Sequence, residues 1–151
     1  TFALTVRPQP AGDAETEAYV WTFFTGEGAG AERVSLAASK GNDALRWNTL
    51  NGGEPIFSST QGTQGLRDPF IIRSHEGDKF YMLATDLKID GLAGGFSTAQ
   101  ISGSQYIEVW ESTDLVNWSA QRHVQVSSAY AGNTWAPEAY WDEEIQRYVV
   151  F

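Results

Sequence analysis

Nowhere in this chain does an apolar pattern hold a helical period for a dozen residues. Short aromatic and β-branched runs alternate instead with turns rich in Gly, Asp, Asn and Ser. That pattern predicts an all-β protein, because strands are short, tolerate branched and aromatic side chains, and need frequent reversals. The predicted strands are 18–25 (AYVWTFFT), 32–39 (ERVSLAAS), 56–57, the segment carrying Asp68, 79–85 (KFYMLAT), 106–111 (YIEVWE), 122–126 and a strand beginning at 148. Segment 75–78 reads as a hairpin turn and 112–118 as a turn closed by a Trp. Segment 90–103 has four glycines and reads as a long surface loop.

With 151 residues, the chain is long enough for one domain with a real core. Its 13% aromatic content disfavours disorder. A net charge of −9 without a basic stripe excludes nucleic acid as the expected partner. The absence of cysteine removes disulfides, thiolate catalysis and Cys-type zinc sites. No run approaches the roughly 20 apolar residues of a membrane span. No secretory leader is visible.

An internal repeat organises the chain further. An apolar strand, then Ser, a turn, Leu and, after one or two residues, Trp, and another strand recur around Ser39–Trp47 and Ser112–Trp118. A third copy starts near Ala136. Repeats of roughly 40–60 residues built from about four strands suggest propeller blades. The expected blades are 18–60, 66–127 and an incomplete 134–151. Residues 1–17 are expected to form a lead, with a short strand over 1–6 and a loop over 7–17. A β-sandwich whose core is filled by Trp residues is the alternative architecture.

Two segments share one design: a turn, a proline, an acid and then apolar residues. They are 65–73 (GLRDPFIIR) and 134–140 (TWAPEAY). If the repeats are blades, Asp68 and Glu138 sit on first strands, which line the central channel. Asp68 then presents a carboxylate to a cavity, as hydrolysis by two opposed carboxylates requires. Taken alone, an Asp beside a proline is more often a turn residue. Arg67 is either a counter-ion orienting Asp68 or a surface charge. Trp135 and Tyr140 can stack on a sugar face, although aromatics in β-rich proteins more often fill the core. Asp86 reads as a turn residue. His75 and His123 lack partners at metal-ligand spacing, so no metal site is predicted. No Gly-x-Ser-x-Gly context supports a serine nucleophile.

Four motifs in order resemble glycoside hydrolase family 43: Leu66-Arg67-Asp68-Pro69-Phe70-Ile71-Ile72, the run 77–85 (GDKFYMLAT), the run 109–118 (VWESTDLVNW), and Thr134-Trp135-Ala136-Pro137-Glu138. The resemblance covers about 18–151. It implies a five-bladed β-propeller, of which this chain would cover about two and a half blades. It further implies an inverting α-L-arabinofuranosidase or β-xylosidase acting on plant polysaccharides. Carried over residue by residue, it makes Asp68 the general base. Arg67, Phe70, Trp135 and Glu138 become substrate-contacting positions, with Arg67 biasing Asp68 toward its charged form.

The family's other two catalytic carboxylates normally fall in later blades. Residues 1–151 alone are therefore expected to show little or no turnover, with the remainder of a propeller as partner. No cofactor is expected. The resemblance raises a calcium ion in the central channel, for which no ligands are apparent here. An oligo- or polysaccharide such as arabinan, arabinoxylan or a xylo-oligosaccharide is the expected substrate. Secretion is the expected location, with the cytoplasm as alternative. Sucrose- and fructan-cleaving propellers also use Arg-Asp-Pro, but no Asn-Asp-Pro-Asn segment precedes Asp68. A non-catalytic carbohydrate-binding segment is the rival from outside the enzymes.

Overall fold

The computed structural model describes residues 17–151; the strand expected over 1–6 and nearly all of the 7–17 loop lie outside the described residues. Among these described residues, nine strands and one α-helix follow in the order β1 (Val20–Phe23), β2 (Ser35–Lys40), β3 (Asp43–Thr49), β4 (Leu66–Arg73), β5 (Phe80–Asp86), α1 (Gly95–Ser102), β6 (Tyr106–Ser112), β7 (Arg122–Gln125), β8 (Ala139–Asp142) and β9 (Arg147–Val150). They form three antiparallel sheets, β1-β2-β3, β4-β5-β6-β7 and β8-β9. The opening strand β4 of the central sheet touches both β1 and β8, the opening strands of its neighbours. Inner strands grouped in this way fit part of a β-propeller. Among the described residues no helix is long and apolar enough to cross a membrane.

The central sheet is buried on both faces, and this explains its sequence. On one face Leu66, Met82, Ala84 and Trp110 pack against Val34, Leu36 and Phe57 from the first sheet side. On the other, Leu83 and Ile107 meet Ala139. β5 therefore reads as an apolar run without polar alternation, since neither face meets water. Aromatic edges close the first cluster: the Phe57 ring lies 5.1 Å from Trp110 and 4.8 Å from Trp118.

Turn chemistry matches the sequence reading at 75–78 and 112–118. Ser74 Oγ accepts the Asp78 and Lys79 amides at 3.1 Å each, closing the hairpin between β4 and β5. The Asp114 carboxylate accepts the amides of Val116 (2.9 Å) and Asn117 (2.7 Å) and the Asn117 side-chain amide (2.7 Å). Those bonds, the Asn117 amide first, hold its carboxyl well below the usual carboxylate range.

Three local expectations need correction. Segment 90–103 is not all loop, because α1 occupies Gly95–Ser102. The helix buries only Ala99 and has no side-chain N-cap, so it shows neither the apolar stripe nor the cap by which a helix is read. It is held from outside, by Asn133 donating to the Gln100 carbonyl at 3.0 Å and by Gly103 N donating to Gly132 O at 2.7 Å. Residues 56–57 do not form a strand; Phe57 makes only an isolated bridge to Val34. The third strand of the first sheet is β3, in a segment that follows the turn near 40–43 and to which the sequence reading assigned no strand. β3 pairs on one side only and is largely exposed, with Leu45 91% accessible, so it carries little apolar signal. The repeat is correspondingly uneven: Leu45 is in solvent, whereas Leu115 is buried at 4%.

Candidate active site around Asp68

Asp68 sits in a bulge. Arg67 pairs with Thr85 and Phe70 with Leu83, so β4 spends one more residue than β5 between these two pairs. Pro69 brings no amide to the ladder, which favours a break at this point. Asp68 takes a positive φ of 46°. A non-glycine residue in that region costs about 1–3 kcal/mol, and the following proline restricts it further. Two bonds hold the bulge. Thr22 Oγ1 donates to the Pro69 carbonyl at 3.1 Å, and Thr85 Oγ1 donates to Asp68 Oδ2 at 3.0 Å.

Thr85 joins the two motifs singled out in the sequence. It is fully buried, and its hydroxyl also accepts the Ala136 amide at 2.8 Å. Ala136 again precedes a proline and again has a positive φ, 52°. Two strained residues, one from each motif, thus meet on a single hydroxyl. Strain clustered in this way is characteristic of working sites. Trp135, next to Ala136, is half-buried; its ring meets Phe96 of α1 edge-on at 6.3 Å. Its indole N–H is buried and has no partner among the described residues.

This relay gives a direct prediction. Thr85→Val keeps the shape and removes the hydroxyl, so both Asp68 and Ala136 lose a bond. The unfolding free energy of the full-length protein should fall by about 2 kcal/mol in urea titration, and Thr85→Ser should recover most of the loss. Equal destabilisation by Val and Ser would contradict the relay.

Among the described residues the ion pairs of Arg67 go to two glutamates and not to Asp68. The Arg67 side chain is buried, donating to Glu32 Oε1 at 3.0 Å and to Glu27 Oε1 at 2.8 Å. Burial pulls its pKa down, and the bonds to Glu27 and Glu32 more than reverse that, leaving it above its ordinary value. The guanidinium also lies over the rings of Phe24 (4.8 Å) and Phe96 (5.0 Å). Glu32, 4% exposed, accepts the amides of Ile89 (2.7 Å) and Asp90 (3.1 Å) as well. Arg67 and Glu32 therefore fix the segment leading into α1 and, through Phe96, the surroundings of Trp135.

Of the other expected substrate contacts, Phe70 packs against the Leu83, Ile107 and Ala139 cluster, so the structure gives it a packing role. Glu138 is exposed, just before β8, with its backbone paired to Phe151 in both directions at 3.0 Å. Tyr140 is half exposed and leans on the Phe151 ring.

A second polar group escaped the sequence reading. Asp86 is no turn residue; it ends β5 and is 1% exposed. With Glu108 and His123 it forms a group whose potential ligand atoms lie within 4.8 Å of one another. Thr85 and Asp86 are consecutive in a strand and point to opposite faces. The group therefore stands on the face turned away from the Asp68 relay.

Residues 14–151 match a family profile described as a probable glycosyl hydrolase domain, in the group related to glycosyl hydrolase family 43. The chain is also 39% identical over 156 residues to an alpha-L-arabinofuranosidase of Bifidobacterium longum subsp. longum. That alignment takes in 100% of this chain and 14% of the relative, so the chain spans about a seventh of that protein's length. No solved structure matches the chain at a significant level.

Proposed function

From the premise that this chain belongs to the glycosyl hydrolase family 43-related domains, we propose that it supplies the general base of an inverting glycosidase. The linkages acted on are α-L-arabinofuranosyl, or in second place β-D-xylosyl, in plant polysaccharides. Asp68 takes the proton of the attacking water. The water oxygen bonds to the anomeric carbon from the face opposite the leaving group. The glycosidic C–O bond breaks, and the departing oxygen receives a proton from a carboxylic acid placed across the bond. That acid is sought outside residues 1–151, and the isolated segment is expected to turn over little substrate.

The observation that carries the reading is the Thr85 relay. A strained carboxylate on a bulged inner strand is held at Oδ2 by a buried hydroxyl that also anchors the Trp135 segment. Oδ1 is the oxygen that faces the water. Trp135 lines the sugar pocket, and the arabinofuranosidase relative favours a furanoside over a pyranoside.

Proton NMR of the first sugar released from an aryl α-L-arabinofuranoside by the full-length protein tests this. The β-anomer should appear first and the α-anomer only through later mutarotation. Initial release of the α-anomer would exclude a base-activated water in a single displacement.

A further inference from the structure

The face of the central sheet opposite Asp68 carries a group that the glycosidase reading leaves unused. Asp86 ends β5, Glu108 lies in β6 opposite Ala84, and His123 lies in β7 opposite Glu108. Strand pairing alone brings the three side chains together; in sequence they are scattered. One ligand atom from each lies within 4.8 Å of the others. Glu108 is 0% and Asp86 1% exposed, while His123 reaches the edge of the sheet and stacks on the Tyr106 ring at 4.1 Å.

Charge balance singles the group out. Two carboxylates are buried together, and among the described residues the basic side chain paired with either is His123, with Nδ1 2.5 Å from Glu108 Oε1. Two buried carboxylates thus face a single histidine, and buried carboxylates are normally paired or bound to a metal.

The surroundings are built to hold the carboxylates in position. Asp86 Oδ1 accepts the Thr63 amide and hydroxyl, each at 2.8 Å, and Oδ2 accepts the Ser104 hydroxyl at 2.6 Å. Glu108 Oε2 accepts the Gln121 amide at 2.6 Å, and Gln121 is itself tied to Ser59 and Thr60. At Gly62, with φ 54°, a Cβ would stand 2.1 Å from Asp86 Oδ2, so the turn closes onto the carboxylate only with glycine there. Neutral donors arranged behind carboxylates are the usual outer shell of a metal site. A cavity of about 340 Å³ is bordered by Thr63 and Ser104, the two residues that donate to Asp86.

We propose that Asp86, Glu108 and His123 bind a first-row divalent cation, Mn²⁺ or Zn²⁺. Two carboxylate oxygens and one imidazole nitrogen suit such an ion better than a soft one, and the single nitrogen disfavours an all-oxygen calcium cage. The ion would neutralise the two buried carboxylates. Because the site faces away from Asp68, its role is to clamp β5, β6 and β7 together and not to take part in bond cleavage.

The test uses the full-length protein, stripped with chelator and titrated calorimetrically with MnCl₂ and separately with ZnCl₂. One equivalent of at least one ion is expected to bind through this group and raise the melting temperature. His123→Asn, at the partly exposed member, should remove that equivalent or weaken it at least tenfold, with the far-UV circular dichroism spectrum unchanged. Asp68→Asn should leave it intact, which keeps this result separate from the glycosidase reading. Absence of binding by both ions at millimolar concentration overturns the proposal. So does binding whose stoichiometry and affinity are the same in His123→Asn; the three residues are then a hydrogen-bonded cluster only.

Discussion

Asp68→Asn in the full-length protein should lower kcat on an aryl α-L-arabinofuranoside by about 10²–10⁴-fold, the range for loss of a positioned general base. KM should move little. The substitution is nearly isosteric, and the amide oxygen can still accept the Thr85 hydroxyl that now reaches Oδ2. Asparagine also tolerates the positive φ of 46° at this position better than most residues. Fold and bulge should therefore survive, with a melting temperature close to that of the parent. What is lost is the capacity to take a proton from water. Asp68→Ala is the weaker experiment, because it confounds chemistry with a strained backbone. A kcat for Asp68→Asn within tenfold of the parent, with the protein folded, would remove Asp68 from the base role. Unchanged polysaccharide binding without any activity in the parent would point instead to a carbohydrate-binding segment.

The sequence disclosed those parts of the molecule whose causes are local. Turns at Ser74–Asp78 and Ser112–Trp118 were readable because the Ser and Asp side chains cap amides a few residues away. β4 and β5 were readable because long stretches of them are apolar on both faces. The Asp68 and Trp135 motifs could be named, and their meeting at Thr85 follows only from the pairing of β5 with β4 and the approach of Ala136. β3 and α1 were missed because each is stabilised from one side, by a neighbour and not by its own pattern.

Arg67 shows the same limit in its electrostatics. Beside Asp68 in sequence, it turns to Glu32 and Glu27, 35 and 40 residues away. His123 is the converse case: spacing suggested no ligand partner, and cross-strand register supplies two. Adjacency in a strand sends side chains to opposite faces, so neighbours in sequence are poor guides to partners in a sheet.

Arg67→Met should be the most destabilising single substitution near the site, costing about 3 kcal/mol in the urea transition of the domain. Removing one member of a buried pair typically costs about 3–5 kcal/mol, because the remaining charge is left in low dielectric. Glu32, 4% exposed, is that remaining charge. Two features place the value at the lower end. Glu32 keeps the amides of Ile89 and Asp90, and the bond to Glu27 lies at the surface, where such pairs contribute about 0–1 kcal/mol. Methionine preserves most of the packing volume but loses the stacking of the guanidinium on Phe24 and Phe96.

Lysine should rescue Arg67 poorly, since a point charge cannot address Glu32 and Glu27 through two separate nitrogens. The double variant Arg67→Met with Glu32→Gln should recover part of the loss, because the uncompensated charge is gone. The local readout is amide exchange at Ile89 and Asp90, which should accelerate in Arg67→Met as Glu32 becomes free to move toward water. Destabilisation below about 1 kcal/mol with exchange unchanged would mean that the ion pair is dispensable, and that the segment entering α1, together with the Phe96 ring beside Trp135, is held by other contacts.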